Sequence, residues 1–97
     1  MRVSEMLNKE DFVLTKIDDS GFEDYWFSVG GDTAKYLSDA YKEQGMLEVT
    51  DVVYSRKEDK IGIKRRFLWN FDIIISDDDE LKTFVMELVN ESKAREE

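Results

Sequence analysis

The sequence predicts an α+β fold: one antiparallel β-sheet of four to five strands with two main helices packed on one face, in the order (α)ββαββ(β)α. Three observations predict it. Stretches 12–17, 22–29, 47–54 and 61–75 are rich in β-branched and aromatic residues. Segments 32–44 and 77–93 carry apolar residues at helical spacing instead. Each long helix follows a pair of strand-like runs, the pattern of hairpins whose apolar face is covered by helices. With 97 residues there is room for a single domain, spanning 1–97, and one core.

The elements follow in chain order. Residues 3–8 form a short helical turn, with Ser4 as N-cap and Val3, Met6 and Leu7 as its apolar side. The run 12–17 reads as a strand, and Asp18-Asp19-Ser20-Gly21 supplies hairpin-turn chemistry. The return strand 22–29 places Tyr25, Phe27 and Val29 on one face and Phe22 and Trp26 on the other. Aromatics on both faces mean a strand covered twice, or one that offers a ring to a partner.

Gly30-Gly31 breaks that strand, and Asp32 or Thr33 caps a helix running to about 44, with Tyr36, Leu37, Ala40 and Tyr41 as its stripe and Gly45 as its stop. A strand over 47–54 and a charged turn over 55–60 come next. From Ile61 the alternation continues through Ile63, Arg65, Phe67, Trp69, Phe71, Ile73 and Ile75, all assigned to one buried face beneath the helices. Fully extended, these residues would reach roughly 50 Å at about 3.3 Å per residue. A globule of this size is about 35 Å across, so the run must bend, break or project. Arg65-Arg66 is the expected break. The last helix starts at Asp77, with a capping-box-like Glu80, and buries Leu81, Phe84, Val85, Leu88 and Val89.

Composition limits the chemistry. The chain has no histidine and no cysteine, so it lacks the side chain that titrates near neutrality, a thiol nucleophile and most transition-metal ligands. No cofactor is implied and no enzyme is expected. There is no disulfide framework, and Met1–Phe12 has no apolar stretch of signal-peptide length; the expectation is a cytoplasmic protein away from membranes.

The net charge of −9 is unevenly spread: residues 1–55 carry −7, 56–66 carry +4 and 67–97 carry −6. The basic island (Arg56, Lys57, Lys60, Lys64, Arg65 and Arg66) together with Trp26 forms the candidate partner-binding set. Cations beside aromatics on a β-ribbon suit nucleic acid, but the acidic remainder opposes a polyanion, and an acidic protein partner fits better. The structural reading comes ahead of both: these cations pair with the chain's own acids or keep an edge strand from aggregating. Arg65, alone among apolar neighbours, needs a carboxylate, the sheet rim or an interface.

The remaining clusters read as structure. Asp77-Asp78-Asp79-Glu80 lacks the alternating spacing of a calcium loop and suits the positive end of a helix. Asp18-Asp19 is turn chemistry. Gly30-Gly31 fits neither phosphate-loop pattern, and Asp32 would repel phosphate. The reading that results is a small acidic non-enzymatic protein-binding module: a regulator, inhibitor or accessory protein, in its sharpest form an antagonist of a nucleic-acid-handling protein. A homo-oligomeric structural or chaperone-like protein ranks second, and nucleic-acid binding through 56–66 third.

Overall fold

Five strands form one antiparallel meander: β1 (Phe12–Asp18), β2 (Asp24–Val29), β3 (Asp51–Ser55), β4 (Lys60–Phe67) and β5 (Asn70–Ser76), hydrogen-bonded in the order β1-β2-β3-β4-β5. Helix α1 (Gly31–Ala40) lies between β2 and β3, and α2 (Asp79–Glu96) closes the chain. The computed structural model describes residues 6–18, 23–45, 48–67 and 70–96, with side chains described in all of these except 66–67, 70–72 and 93–96. The expected α+β order is the one observed. The turn expected over 3–8 falls mostly outside the described residues, although Leu7 is buried in the core.

Both helices cover the same face. Tyr25, Phe27 and Val29 of β2 point inward, and the registers Tyr25↔Tyr54, Phe27↔Val52, Val52↔Ile63 and Tyr54↔Ile61 carry that face across β3 and β4. Leu37 of α1 and Leu81, Val85, Leu88 and Val89 of α2 close over it. Phe12 meets Phe27 edge-on at 6.3 Å and Phe84 at 5.4 Å, linking β1 to α2. The thinnest extent between Cα positions is 22 Å, the depth of a sheet with one helix layer packed on it.

Three expectations are corrected. The run 61–75 is not one strand but a β4–β5 hairpin whose last pair is Phe67↔Asn70, and β4 continues through Arg65-Arg66 without a break. The connection reverses the chain and changes the phase of the alternation. Ile61 and Ile63 therefore face the helices, whereas Ile73 and Ile75 pair with Lys64 and Gly62 on the opposite face and are 53% and 50% exposed. The burial expected for Phe67, Trp69 and Phe71 concerns side chains outside the described ones.

Second, α1 is capped neither by Asp32 nor by Thr33. Gly30 is its N-cap, and the Asp11 carboxylate reaches in from the turn before β1, accepting from the Thr33 backbone N–H at 3.2 Å and from its hydroxyl at 2.7 Å. Gly31 is held at φ +58, where a Cβ would stand 2.6 Å from Asp11 Oδ1, so only glycine fits. The helix also stops at Ala40; Lys42–Gln44 is a separate 3₁₀ turn ended by Gly45 at φ +93. Third, Asp78 rather than Asp77 caps α2, its Oδ1 accepting from the N–H groups of Glu80 and Leu81 at 2.9 and 3.2 Å.

Candidate functional site

With the helices confined to one face, the described residues leave the other face of the sheet open. Strand alternation assigns Asp24, Trp26 and Ser28 of β2 to it, then Asp51, Val53 and Ser55 of β3, and Lys60, Gly62 and Lys64 of β4. Ile73 and Ile75 of β5 complete it on one side. On the other side a bulge between Leu14 and Lys16 re-phases β1, so that Val13, Lys16 and Asp18 share this face. Val13 is 59% exposed, and the Thr15 hydroxyl in the bulge donates to the Trp26 carbonyl oxygen at 3.2 Å.

Trp26 is the centre of this surface. The Lys64 ammonium lies 3.6 Å from its ring centroid and that of Lys16 5.8 Å, two cation–π contacts on one indole. Burial lowers the Lys64 pKa from the ordinary lysine value; Asp24 and Asp51 pull it back upward, and Lys16 pushes it further down. Beside Lys64 runs a shallow trough of about 310 Å³ lined by Asp24, Val53, Gly62, Lys64, Ile73 and Ile75, among others. Gly62 makes it possible: a Cβ there would meet Ile73 Cδ1 at 2.9 Å, so the missing side chain lets the isoleucine lie down on the strand. At one end Asp24 Oδ1 is buried with no hydrogen-bond donor among the described residues.

The expected partner-binding residues divide. Trp26, Lys60 and Lys64 meet on the open face, Trp26 and Lys64 in direct contact. Arg56 and Lys57 sit on the exposed β3–β4 turn, where the Arg56 guanidinium comes within 4.0 Å of Glu23. Arg65 is half-buried on the helix-facing side of β4, in register with Asp72. The Arg66 side chain is outside the described ones. Sequence reasoning missed Lys16, Val53, Gly62, Ile73 and Ile75. The first two follow from strand pairing alone, since Lys16 and Val53 flank Trp26 in register.

Other polar clusters serve the fold. Tyr54 is buried and donates to Asp59 at 2.7 Å, while Lys82 of α2 holds the other carboxylate oxygen at 2.6 Å. Burial, then the bond to Asp59, pushes the Tyr54 pKa up to about 12. Tyr41 bonds Ser76 at 2.5 Å, and Lys9 meets Glu91 at 2.7 Å. Among the described residues no group of three or more acidic side chains converges to hold a metal ion, and no helix is long and apolar enough to cross a membrane. The Gly30-Gly31 helix start is already occupied by the Asp11 carboxylate. Compared with protein families, with curated proteins and with solved structures, the chain matches none of them, so function rests on geometry.

Proposed function

We propose that this chain is a small non-enzymatic protein-binding module, and that its partner docks on the open sheet face. The partner segment carries carboxylates next to apolar side chains. One observation carries this reading: a trough floored by Val53, Ile73 and Ile75 and lined by Lys64, whose ammonium lies over Trp26, in a protein that is acidic elsewhere. Among the described side chains the face and its trough hold Lys16, Lys60 and Lys64 against Asp18, Asp24, Asp51 and Glu58, a charge balance of −1, so most of the net −9 resides outside it. An acidic partner meets least repulsion here, and its carboxylates find in Lys64 an ammonium already partly stripped of water. Its apolar side chains cover the exposed halves of Ile73 and Ile75, each worth about 1 kcal/mol, half of the value for burying a whole side chain.

Nucleic acid fits this face less well. Stacking a base on Trp26 requires displacing the ammonium that lies 3.6 Å from the ring centroid, and the rest of the molecule repels phosphate. The antagonist form, with carboxylates filling a phosphate groove, would use the helix-bearing side and leave the trough without a role. A second reading, association of copies, is favoured by one observation at the sheet edge and is developed below.

The test is a photo-cross-linking side chain at Ile73, compared with the same group at Met86, an exposed position on α2. In the native host, position 73 is expected to capture a protein whose cross-linked peptide contains acidic residues, with capture lost in Lys64→Glu and weakened by salt. Equal capture from both positions, indifference to Lys64→Glu, or adducts only with the chain itself would overturn the reading.

A further inference from the structure

The two lateral edges of the sheet are guarded very differently. An edge strand offers unpaired N–H and C=O groups to any other strand, and proteins blunt that hazard with bulges, charges, prolines or short strands. β1 has such protection: the bulge between Leu14 and Lys16, a lysine beside it, and the Thr15 hydroxyl turned back onto β2. β5 has none of it. It pairs with β4 over seven consecutive residues without a register shift, contains no proline, and runs Ile73-Ile74-Ile75-Ser76 without a charge. Beside Ile75, on the helix side, lies a hollow of about 310 Å³ lined by Tyr36, Leu37, Tyr41 and Asp77.

We infer that β5 is a self-association edge, pairing antiparallel with β5 of a second copy about a two-fold axis at Ile74 and joining the two sheets into one. The sequence suits this register and this partner. Ile73-Ile74-Ile75 is a palindrome about Ile74, so an isologous pairing sets Ile73 opposite Ile75 of the second copy, both on the open face. Asp72 then faces Ser76 of the other chain, whereas an axis at Asp72 would oppose two carboxylates. The acidic runs that begin at Asp77 fall on opposite sides of the axis. Six strand residues separate one from the other, about 20 Å at about 3.4 Å per residue. That exceeds the Debye length of about 8 Å at physiological salt, so their repulsion is screened. Every second residue of β5 turns its backbone groups to the free side, and in this register Ile73 and Ile75 meet each other's equivalents across the axis.

This pairing stands independently of the docking proposed above, and salt separates them. Docking of an acidic partner weakens as salt rises, whereas two copies carrying −9 each associate more readily. Sedimentation velocity of the full chain from low to high micromolar concentration is expected to show a monomer–dimer equilibrium that shifts to dimer with added salt. Ile75→Lys, at a half-exposed position, is expected to keep the fold by circular dichroism and remain monomeric. Because the chain has no cysteine, Ile74→Cys offers a register test. Directly opposed residues lie about 4.5–5.5 Å apart, within disulfide reach, so dissolved oxygen should yield a covalent dimer. Val13→Cys on the other edge should not. A wild type that stays monomeric at every concentration, dimerisation unaffected by Ile75→Lys, or equal cross-linking of Val13→Cys and Ile74→Cys would each overturn the inference. Should Ile74→Cys fail to fold, sedimentation of the wild type and of Ile75→Lys decides alone.

Discussion

The two faces of the sheet are made from the same strands by the same alternation, yet only one is dry. Ile63 is fully buried beneath the helices, while Ile73, from the neighbouring strand, exposes half its surface on the open side. On the covered face, tyrosines turn their hydroxyls to partners at its margin, as Tyr54 does with Asp59 and Tyr41 with Ser76. On the open face polarity is laid over the apolar surface, as the Lys64 ammonium is laid over Trp26. The first arrangement excludes water and stabilises the fold; the second leaves apolar surface that water still reaches. A hydrophobic residue in a strand therefore reports burial only when something covers its face.

The contrast can be broken most directly by truncation. Ile63→Ala should cost about 2–5 kcal/mol in urea unfolding, the range for a large-to-small change in a packed core. Ile73→Ala should cost under about 1 kcal/mol, because half of the side chain is already in water. Equal losses would mean that both faces are covered in solution.

The covered face also depends on the start of α1. Asp11→Ala removes the carboxylate that caps Thr33 and should cost about 0.5–2 kcal/mol, with the melting temperature as the readout. Gly31→Ala should cost at least about 1 kcal/mol, since alanine at φ +58 is strained and its Cβ would strike Asp11.

A pH titration sharpens the comparison further. The Tyr54 pKa is raised to about 12, so the fold favours its neutral form. That contribution is complete below the ordinary tyrosine pKa of about 10 and is lost as pH rises through 12. Tyr54→Phe should flatten the fall in stability across this alkaline window, leaving the smaller part from Tyr41, whose pKa burial also raises. Asp59 behaves oppositely: its bonds to Lys82 and Tyr54 lower its pKa, so its contribution is present above the ordinary carboxylate value and is lost as acid titrates the group. The smallest effect on stability is expected at the trough. Gly62→Ala displaces only the flexible end of an exposed isoleucine, so unfolding should change by less than about 1 kcal/mol while the cross-linking yield at Ile73 falls.

Much of this was legible along the chain. The stripe from Leu81 to Val89 is a local property of α2, and the alternation of Tyr25, Phe27 and Val29 fixes one face of β2. The error at 61–75 has a definite cause. Ile61, Ile63, Ile73 and Ile75 share an odd-numbered pattern, and the antiparallel pairing of β4 with β5 changes its phase without breaking it. The cap of α1 was hidden for a related reason, since Asp11 lies 22 residues from Thr33. For the candidate site, Trp26 and the basic run stood out by composition, but the depression at Gly62 is an absence that only neighbouring side chains reveal.

By itself, then, the sequence determined the class of fold, the order of its elements, the apolar stripes of the helices and the separation of charge into one basic island and two acidic regions. Each depends on residues close together in the chain. Tertiary structure alone decided which isoleucines are dry, which lysine rests on Trp26 and which strands form the sheet edges. Those follow from strand register and hairpin reversal, which join residues distant in sequence and which no local periodicity encodes.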